Sequence, residues 1–371
     1  MSMDTKLCCC FNSPSLYREL IYKKIEERYD CDWYFEDTNS NLKEFDTNQL
    51  KNVKRLHTYS LGVFYGVKGL ISLLWKKEYS HFLMMGHSRN ISTFFFVILK
   101  CLFFPYKKIY LWTHGFYGKE SFLEEIWKKL LFKSVDELFI YGDYSCRIMS
   151  ERYGFMQEKL HAIHNSLDYD VQLKLRSELS LSSIYKEHFG NSNSTIIFIG
   201  RLTPVKKLDM LVQAIYDLKI LGKYYNLTFV GEGDEYASLQ EKAQNLGINN
   251  QIWFYGACYD EKQNAELVYN ADLCVAPGNI GLTSIHVLMF GCPAISHNEF
   301  PYQMPEFEVI NDGVTGTFFE RDNQESLNAS ISRWFSQESY NREKIRMNCY
   351  EEIDSKWNPY YQMDVIKQVI K

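Results

Sequence analysis

The chain has 371 residues, 46% of them apolar and 23% charged, a balance that excludes a disordered, collagenous or disulfide-stapled protein and allows two or three globular domains. Its net charge of −5, from 41 basic and 46 acidic residues, excludes a global nucleic-acid-binding character. The average conceals an asymmetry. From Lys51 to Lys133 there are 14 basic and 4 acidic residues, a density that attracts anionic lipid headgroups or a phosphorylated acceptor.

Short apolar runs alternate with longer amphipathic ones, the rhythm of β-α-β units around parallel sheets. Lys6–Phe11, with its Cys8-Cys9-Cys10 run, reads as a buried strand, and Ser15–Tyr29 as a helix capped near Ser13 or Ser15. Asp32–Phe35, His81–Met85 and Lys108–Trp112 read as strands. Ile91–Phe104 is the most apolar stretch; it is too short to span a bilayer and contains Lys100, so it reads as a buried or membrane-surface helix. Glu120–Lys133 is a predicted helix, Glu137–Tyr141 a strand, Tyr144–Tyr153 a helix, and Lys159–Asp168 a strand and turn.

Residues 171–193 are polar and Ser-rich and read as a linker with one helix. The rhythm then restarts. Strands are predicted at Thr195–Ile199, Asn226–Val230, Ile252–Tyr255, Leu273–Ala276 and Ala294–Ser296. Helices are predicted at Leu208–Leu218, Tyr236–Asn245, Glu261–Asn270, Gly281–Phe290 and Gln324–Trp334, with a last one near Pro359–Ile370. No internal repeat, C-x-x-C pair or secretory leader is visible, which predicts a cytoplasmic, reduced protein.

Three loops in the second half carry chemistry. A strand ends at Gly200, followed by Arg201 and Lys206; a guanidinium and an ammonium at the mouth of a sheet form a diphosphate clamp. Val230-Gly-Glu-Gly233 puts Gly231 and Gly233 at a strand end, where they permit close approach of a phosphate or sugar, or simply a tight turn. Gly278-Asn279-Ile-Gly281-Leu282-Thr283 opens a helix, whose free N–H groups form an anion site. In the first half, His114 and His87 fall at strand ends, and Glu120 reads as a helix-start charge. Asp30-Cys-Asp32 imitates a metal-binding D-x-D but lacks its context, and no cluster suggests a bound metal.

Residues 195–320 resemble the nucleotide-binding domain of family 4 (group 1) glycosyltransferases, the retaining GT-B enzymes. The matching pieces are G-R-x4-K at 200–206, V-G-x-G at 230–233, F-Y-G at 254–256, Y-N-A-D-L-C-V-A-P at 269–277, F-G-C-P at 290–293 and E-x-I-x-D-G-x-T-G at 308–316. The resemblance implies an α/β fold of two Rossmann-like doubly wound domains facing a central cleft. Those domains would be residues 1–170 on the acceptor side and 194–350 on the donor side, joined by the 171–193 linker, with 351–371 crossing back. It implies transfer from a nucleoside-diphosphate sugar, a UDP-sugar ahead of a GDP-sugar and without a metal, to a glycan or lipid-linked hydroxyl in surface-polysaccharide or glycan synthesis.

By the same resemblance, His114, Arg201 and Lys206 would be catalytic. Gly200, Gly231, Gly233, Gly256, Cys258, Asn279, Gly281, Leu282, Thr283, His286 and Glu308 would contact the donor, and Ser15 and His87 the acceptor. Localisation would be cytoplasmic, with the basic 51–133 region touching the inner face of the plasma membrane. The sequence departs from the family's Glu-x7-Glu, holding Gly278 and His286 there, so a non-catalytic partner subunit and a nucleotide-sugar epimerase stand as rival readings.

Overall fold

A strand covered on both sides must be apolar on both of its alternating faces, and the first-half strands meet that condition. The structure, a computed structural model, describes residues 6–37, 43–337 and 341–371. The chain divides into two units, Met1–Asp168 with Asn358–Lys371, and Tyr169–Trp357.

The first unit runs β1 (Lys6–Phe11), α1 (Glu19–Arg28), β2 (Cys31–Glu36), β3 (Val53–Leu56), β4 (Thr58–Leu61), β5 (Phe64–Val67), β6 (Tyr79–Met85), α2 (Ile91–Phe103), β7 (Lys108–Thr113), α3 (Phe122–Lys133), β8 (Glu137–Ile140), α4 (Asp143–Glu151) and β9 (Leu160–Ala162). Its seven-stranded sheet has the order β3-β2-β1-β6-β7-β8-β9, with every pairing parallel; β4 and β5 form a separate antiparallel hairpin. Cys8, Cys10, Phe82 and Leu111 point into one core with Phe96 of α2 and Phe132 of α3. Leu7, Cys9, Phe11, Trp33 and Trp112 point into the other with Ile21 and Tyr22 of α1. The triple cysteine is thus a small-residue buried strand, and all ten cysteines are free thiols.

The second unit runs α5 (Tyr169–Glu178), α6 (Ile184–Phe189), β10 (Thr195–Ile199), α7 (Leu208–Ile220), β11 (Asn226–Val230), α8 (Tyr236–Asn245), β12 (Ile252–Gly256), α9 (Glu261–Asn270), β13 (Leu273–Val275), α10 (Thr283–Met289), β14 (Ala294–His297), β15 (Gly316–Phe319), α11 (Gln324–Phe335) and α12 (Arg342–Lys356). The sheet order is β12-β11-β10-β13-β14-β15, again parallel throughout. Helix α13 (Pro359–Val369) groups with the first unit, where Met363 and Ile366 enter the second of its cores. Asn358 caps it through two N–H groups at 3.0 Å with Pro359 at the first position, a start signal that sequence alone displays.

Several boundaries differ from the sequence expectation. Residues 171–193 are no free linker: α5 and α6 lie there, and Gln172 and Arg176 bond to Glu261 and Asp354 within the second unit. The second unit extends past 350 because α12 continues to Lys356. Its Arg342 side chain donates to the carbonyls of Gly291 and Ala271, and Cys349 and Ile353 are buried. The unpredicted pieces are β3, the β4–β5 hairpin, the second of the two helices α5 and α6, β15 and α12.

Candidate active site

In a doubly wound sheet, loops at the carboxyl ends of the strands converge where the strand order reverses, here between β10 and β13 in the second unit. The loops after β10, β11, β12 and β13 carry Gly200–Lys206, Gly231–Gly233, Gly256–Cys258 and Gly278–Thr283, so one sheet edge gathers most of the residues singled out for the donor. Glu308 comes from a short turn at Pro305–Val309 between β14 and β15, whose Glu306 carbonyl accepts from Ser284 Oγ of α10 at 2.7 Å.

The glycines fit loop to loop. A Cβ at 231 would stand 1.9 Å from the Gly200 carbonyl oxygen, and one at 233 would stand 2.3 Å from that of Leu202. Gly231 and Gly233 have φ of +146° and +157°, and the two loops are laced by Leu202 N–H to Glu232 O (2.9 Å) and Glu235 N–H to Leu202 O (3.0 Å). Their glycine requirement therefore comes from backbone packed on backbone, and no ligand is needed to explain it.

Gly278 obeys the same geometry. A Cβ there would lie 2.0 Å from the Val205 carbonyl oxygen and 2.8 Å from Lys206 Cα, while the Gly278 N–H donates to Lys206 O at 2.9 Å. The glutamate that the family resemblance places at 278 has no room against the 204–206 turn. Lys206 Nζ donates to Asn279 O at 2.5 Å and is 3.5 Å from Ile280 O; burial, then the nearby Arg201, hold its pKa below the usual lysine range. Ile280 N–H is fixed by Gln303 Oε1 at 3.0 Å, and Gln303 in turn donates to Ser296 Oγ at 2.8 Å. Gln303 is a support of the loop that the sequence reading left without a role. Arg201 is exposed and makes no ion pair among the described residues, an available cation at the same edge.

Thr283 Oγ1 donates to Ile199 O at 3.0 Å, tying the start of α10 to the end of β10. Asn279 Nδ2 is 3.4 Å from Tyr302 O, and Gly281 takes the left-handed φ of +53°. Helix α10 is shorter than expected, beginning at Thr283, with Leu282 as its cap residue. Cys258 belongs to the loop before α9, its thiol 3.5 Å from Asp260 O. His286 commits Nε2 to Glu261 Oε1 at 2.9 Å, and Gln172 donates to the same oxygen at 2.8 Å. Burial opposes ionisation of Glu261, yet His286 and these hydrogen bonds hold its pKa below the usual carboxylate value.

In the first unit the order reverses between β1 and β6, and the edge there carries Ser15, His87 and His114. Ser15 is buried, its hydroxyl 3.4 Å from that of Ser13. His87 Nδ1 accepts from Arg89 N–H at 3.3 Å, and its ring lies 5.6 Å from that of Tyr65. Behind it, buried Glu36 at the end of β2 accepts from Asn90 Nδ2 at 3.0 Å; burial pushes its pKa up to about 7. His114 follows β7 with its ring 4.6 Å from Tyr141. Desolvation, then the Arg18 guanidinium, push its pKa down to about 3, leaving a neutral imidazole with one donor and one acceptor nitrogen.

Arg18 itself is buried, bonded to Tyr141 Oη and set over the Trp112 ring. Neither Arg18 nor Glu36 stood out in the sequence, because nothing local marks a charge as buried. One first-unit reading changes. Glu120 is no helix-start charge: it is buried, paired with Lys128 at 2.8 Å, and accepts from the N–H groups of Tyr117 and Gly118, closing the loop that carries His114. Asp32 spends its oxygens on Lys6 (3.0 Å) and the Tyr79 hydroxyl (2.5 Å).

Comparison with known proteins agrees with this architecture. An uncharacterized glycosyltransferase of Methanocaldococcus jannaschii is 23% identical over 54% of this chain and 51% of its own. A GDP-mannose-dependent α-(1-6)-phosphatidylinositol dimannoside mannosyltransferase of Mycobacterium tuberculosis is 33% identical over 27% of this chain and 26% of its own. The chain thus spans about half the length, or less, of these curated relatives. The fold matches Anabaena HepE, solved with UDP, at a TM-score of 0.71 and 15% identity over 99% of both chains, which identifies a GT-B fold of two Rossmann-like domains. The family model for glycosyl transferases group 1 matches residues 176–352, a little under half of the chain, and over that span the chain is similar to that family.

Proposed function

We propose that the protein is a retaining hexosyltransferase that moves a sugar from a nucleoside diphosphate, UDP ahead of GDP, to a hydroxyl of a glycan or lipid-linked acceptor in surface-polysaccharide or glycan synthesis. The observation that carries this reading is the convergence of Arg201, Lys206 and the 278–283 loop at the switch point of the second sheet. HepE, which shares the fold, has been solved with UDP and with UDP-glucose.

In this mechanism Arg201 and Lys206 carry the charge that builds on the departing diphosphate, supported by the N–H groups at the start of α10. The acceptor oxygen bonds to the anomeric carbon on the face from which the diphosphate oxygen leaves, and the hydroxyl proton passes to the departing diphosphate. His114, neutral, offers one donor and one acceptor nitrogen to that hydroxyl. Gly256, Cys258 and His286 border the base and ribose. The clamp makes a divalent ion unnecessary. Ser15 and His87 lie on the acceptor side, and the basic 51–133 region lets the protein rest on an anionic membrane. No helix of the described residues is long and apolar enough to cross one.

Thermal stabilisation against UDP, GDP, ADP, CMP and their sugars, with EDTA and then with magnesium, tests the reading. Selective stabilisation by one nucleoside diphosphate in EDTA is expected. No stabilisation by any, with cooperative melting, refutes the donor site. A second reading, a non-catalytic partner subunit, is favoured by the absence of space for a carboxylate at 278. It predicts donor binding without hydrolysis or transfer across a broad acceptor panel.

A further inference from the structure

Helix α2 buries Thr93, Phe96, Val97 and Lys100, yet Phe95, Ile98 and Leu102, spaced three and four apart, form an apolar outward stripe. Helix α3 repeats the pattern: it buries Leu131 and Phe132 and turns Leu123, Ile126 and Leu130 outward, with Phe122 beside them. Leu123 and Phe122 are 76% and 75% exposed, as is Val63 at the tip of the β4–β5 hairpin (75%). Two neighbouring elements that are apolar outside as well as inside mark a face built to be covered.

Within this face, a groove of about 480 Å³ runs between the hairpin tip, the loop after β6 and α3, lined by Val63, Phe64, Leu123, Ile126 and Trp127 with Ser88, Arg89 and Glu124 at its polar end. That volume falls in the range of small-molecule sites. Its floor is held in place: Trp127 stacks on Phe94 at 3.8 Å, meets Phe64 at 5.9 Å, and donates Nε1–H to Ser88 O at 2.7 Å. The charges at the polar end are unequal. The Glu124 carboxylate is 3.3 Å from the Lys128 ammonium, whereas Arg89 makes no ion pair among the described residues. Arg89 is also two residues from His87, at the carboxyl edge of the first sheet.

We propose that this groove holds the hydrocarbon chain of the acceptor and that Arg89 takes the phosphate joining that chain to the sugar. The occupant's chemistry follows from the lining: an apolar trough ending in one unpaired guanidinium complements an alkyl or prenyl phosphate. A free glycan would find few hydrogen-bonding partners there. The proposal rests on the glycosyltransferase reading and deepens it, selecting a lipid-linked acceptor. The outward stripes of α2 and α3 then lie at the bilayer surface from which such an acceptor is drawn.

The test uses the full chain and tryptophan fluorescence, with Trp127→Phe identifying the reporter. Probes are geranylgeranyl phosphate below its micellar concentration, geranylgeraniol, inorganic phosphate and phosphatidylglycerol vesicles. Saturable binding of geranylgeranyl phosphate is expected. Leu123→Glu weakens it at least tenfold. Arg89→Ala weakens it about tenfold and leaves geranylgeraniol unaffected. Both substitutions are on exposed side chains, and UDP stabilisation measured on each variant reports an intact donor side. Loss of that stabilisation in the wild type would sink the glycosyltransferase reading, whatever the groove does. Binding indifferent to both substitutions, or binding to vesicles with none to geranylgeranyl phosphate, overturns the acceptor groove and leaves a general membrane contact.

Discussion

Glu36→Gln is the substitution whose outcome the structure predicts most sharply. Glu36 ends β2 with its carboxyl buried; Asn90 Nδ2 donates to it at 3.0 Å, and no cation pairs with it among the described residues. Burial, only partly offset by hydrogen bonds from Tyr65 and Asn90, raises its pKa from 4.5 to about 7. A raised acid pKa makes the folded chain hold a proton that the unfolded chain has released, so stability falls as pH climbs from about 4.5 to about 7 and the full deficit persists above. At 1.36 kcal/mol per pKa unit the deficit is about 3 kcal/mol. The glutamine amide has the shape of the protonated carboxyl and no charge to desolvate. The variant should match the wild type at pH 4.5 and exceed it by about 3 kcal/mol at pH 8.5. Urea unfolding followed by tryptophan fluorescence at both pH values measures this, with the transition of the first unit fitted on its own. An equal increment at both pH values, or a loss at pH 8.5, refutes the assignment of a neutral, desolvated carboxyl.

Three further outcomes follow from the two sheet edges. Arg201→Ala should lower transfer by about 10²- to 10³-fold and weaken UDP stabilisation, with the ligand-free melting temperature unchanged because Arg201 is exposed and unpaired; steady-state kinetics and thermal shift check both. Gly278→Ala should lower the melting temperature and UDP affinity together, since its Cβ meets the Val205 carbonyl at 2.0 Å; a variant that melts and binds as the wild type would remove the steric account. With the His114 pKa near 3, the rate profile should show no limb near pH 6.5 that His114→Asn abolishes, and wild-type stability should fall relative to that variant as pH drops below about 6.5, where the unfolded histidine takes up a proton.

The sheets were legible in the sequence because parallel strands are short apolar runs between amphipathic ones, and the Gly200–Lys206 and Gly278–Thr283 loops were legible because they carry charge and glycine at strand ends. The hairpin and β3 were not, since each strand is only four residues long and mixes exposed polar positions with a few half-buried or buried ones such as Leu56 and Val67, too short a run to show an apolar period. Helix α12 hid for a related reason: its buried face includes Arg346 beside Cys349 and Ile353, so apolar periodicity scarcely marks it. Long-range pairings were equally invisible. Lys100 in the apolar stretch pairs with Asp136 at 2.7 Å, and Lys107 donates to the carbonyls of Lys76 and Tyr79. Part of the basic character of 51–133 is therefore spent inside the fold, which a count of lysines overstates as surface charge.

The two departures from Glu-x7-Glu now separate into different physical cases. At 278 the turn at 204–206 occupies the volume of a side chain, so no substitution at that position alone restores a carboxylate there. At 286 the imidazole is bonded to Glu261, the first residue of helix α9, so an acid is kept nearby but supplied from another element. A donor sugar at this edge would meet main-chain N–H groups and the Asn279 amide in place of an acid at 278. Amide donors favour any correctly placed oxygen and lack the negative charge that selects hydroxyl donors. Donor choice should accordingly respond more to Asn279→Ala than to any change at His286, and a panel of UDP-sugars ranked by kcat/KM on both variants decides it.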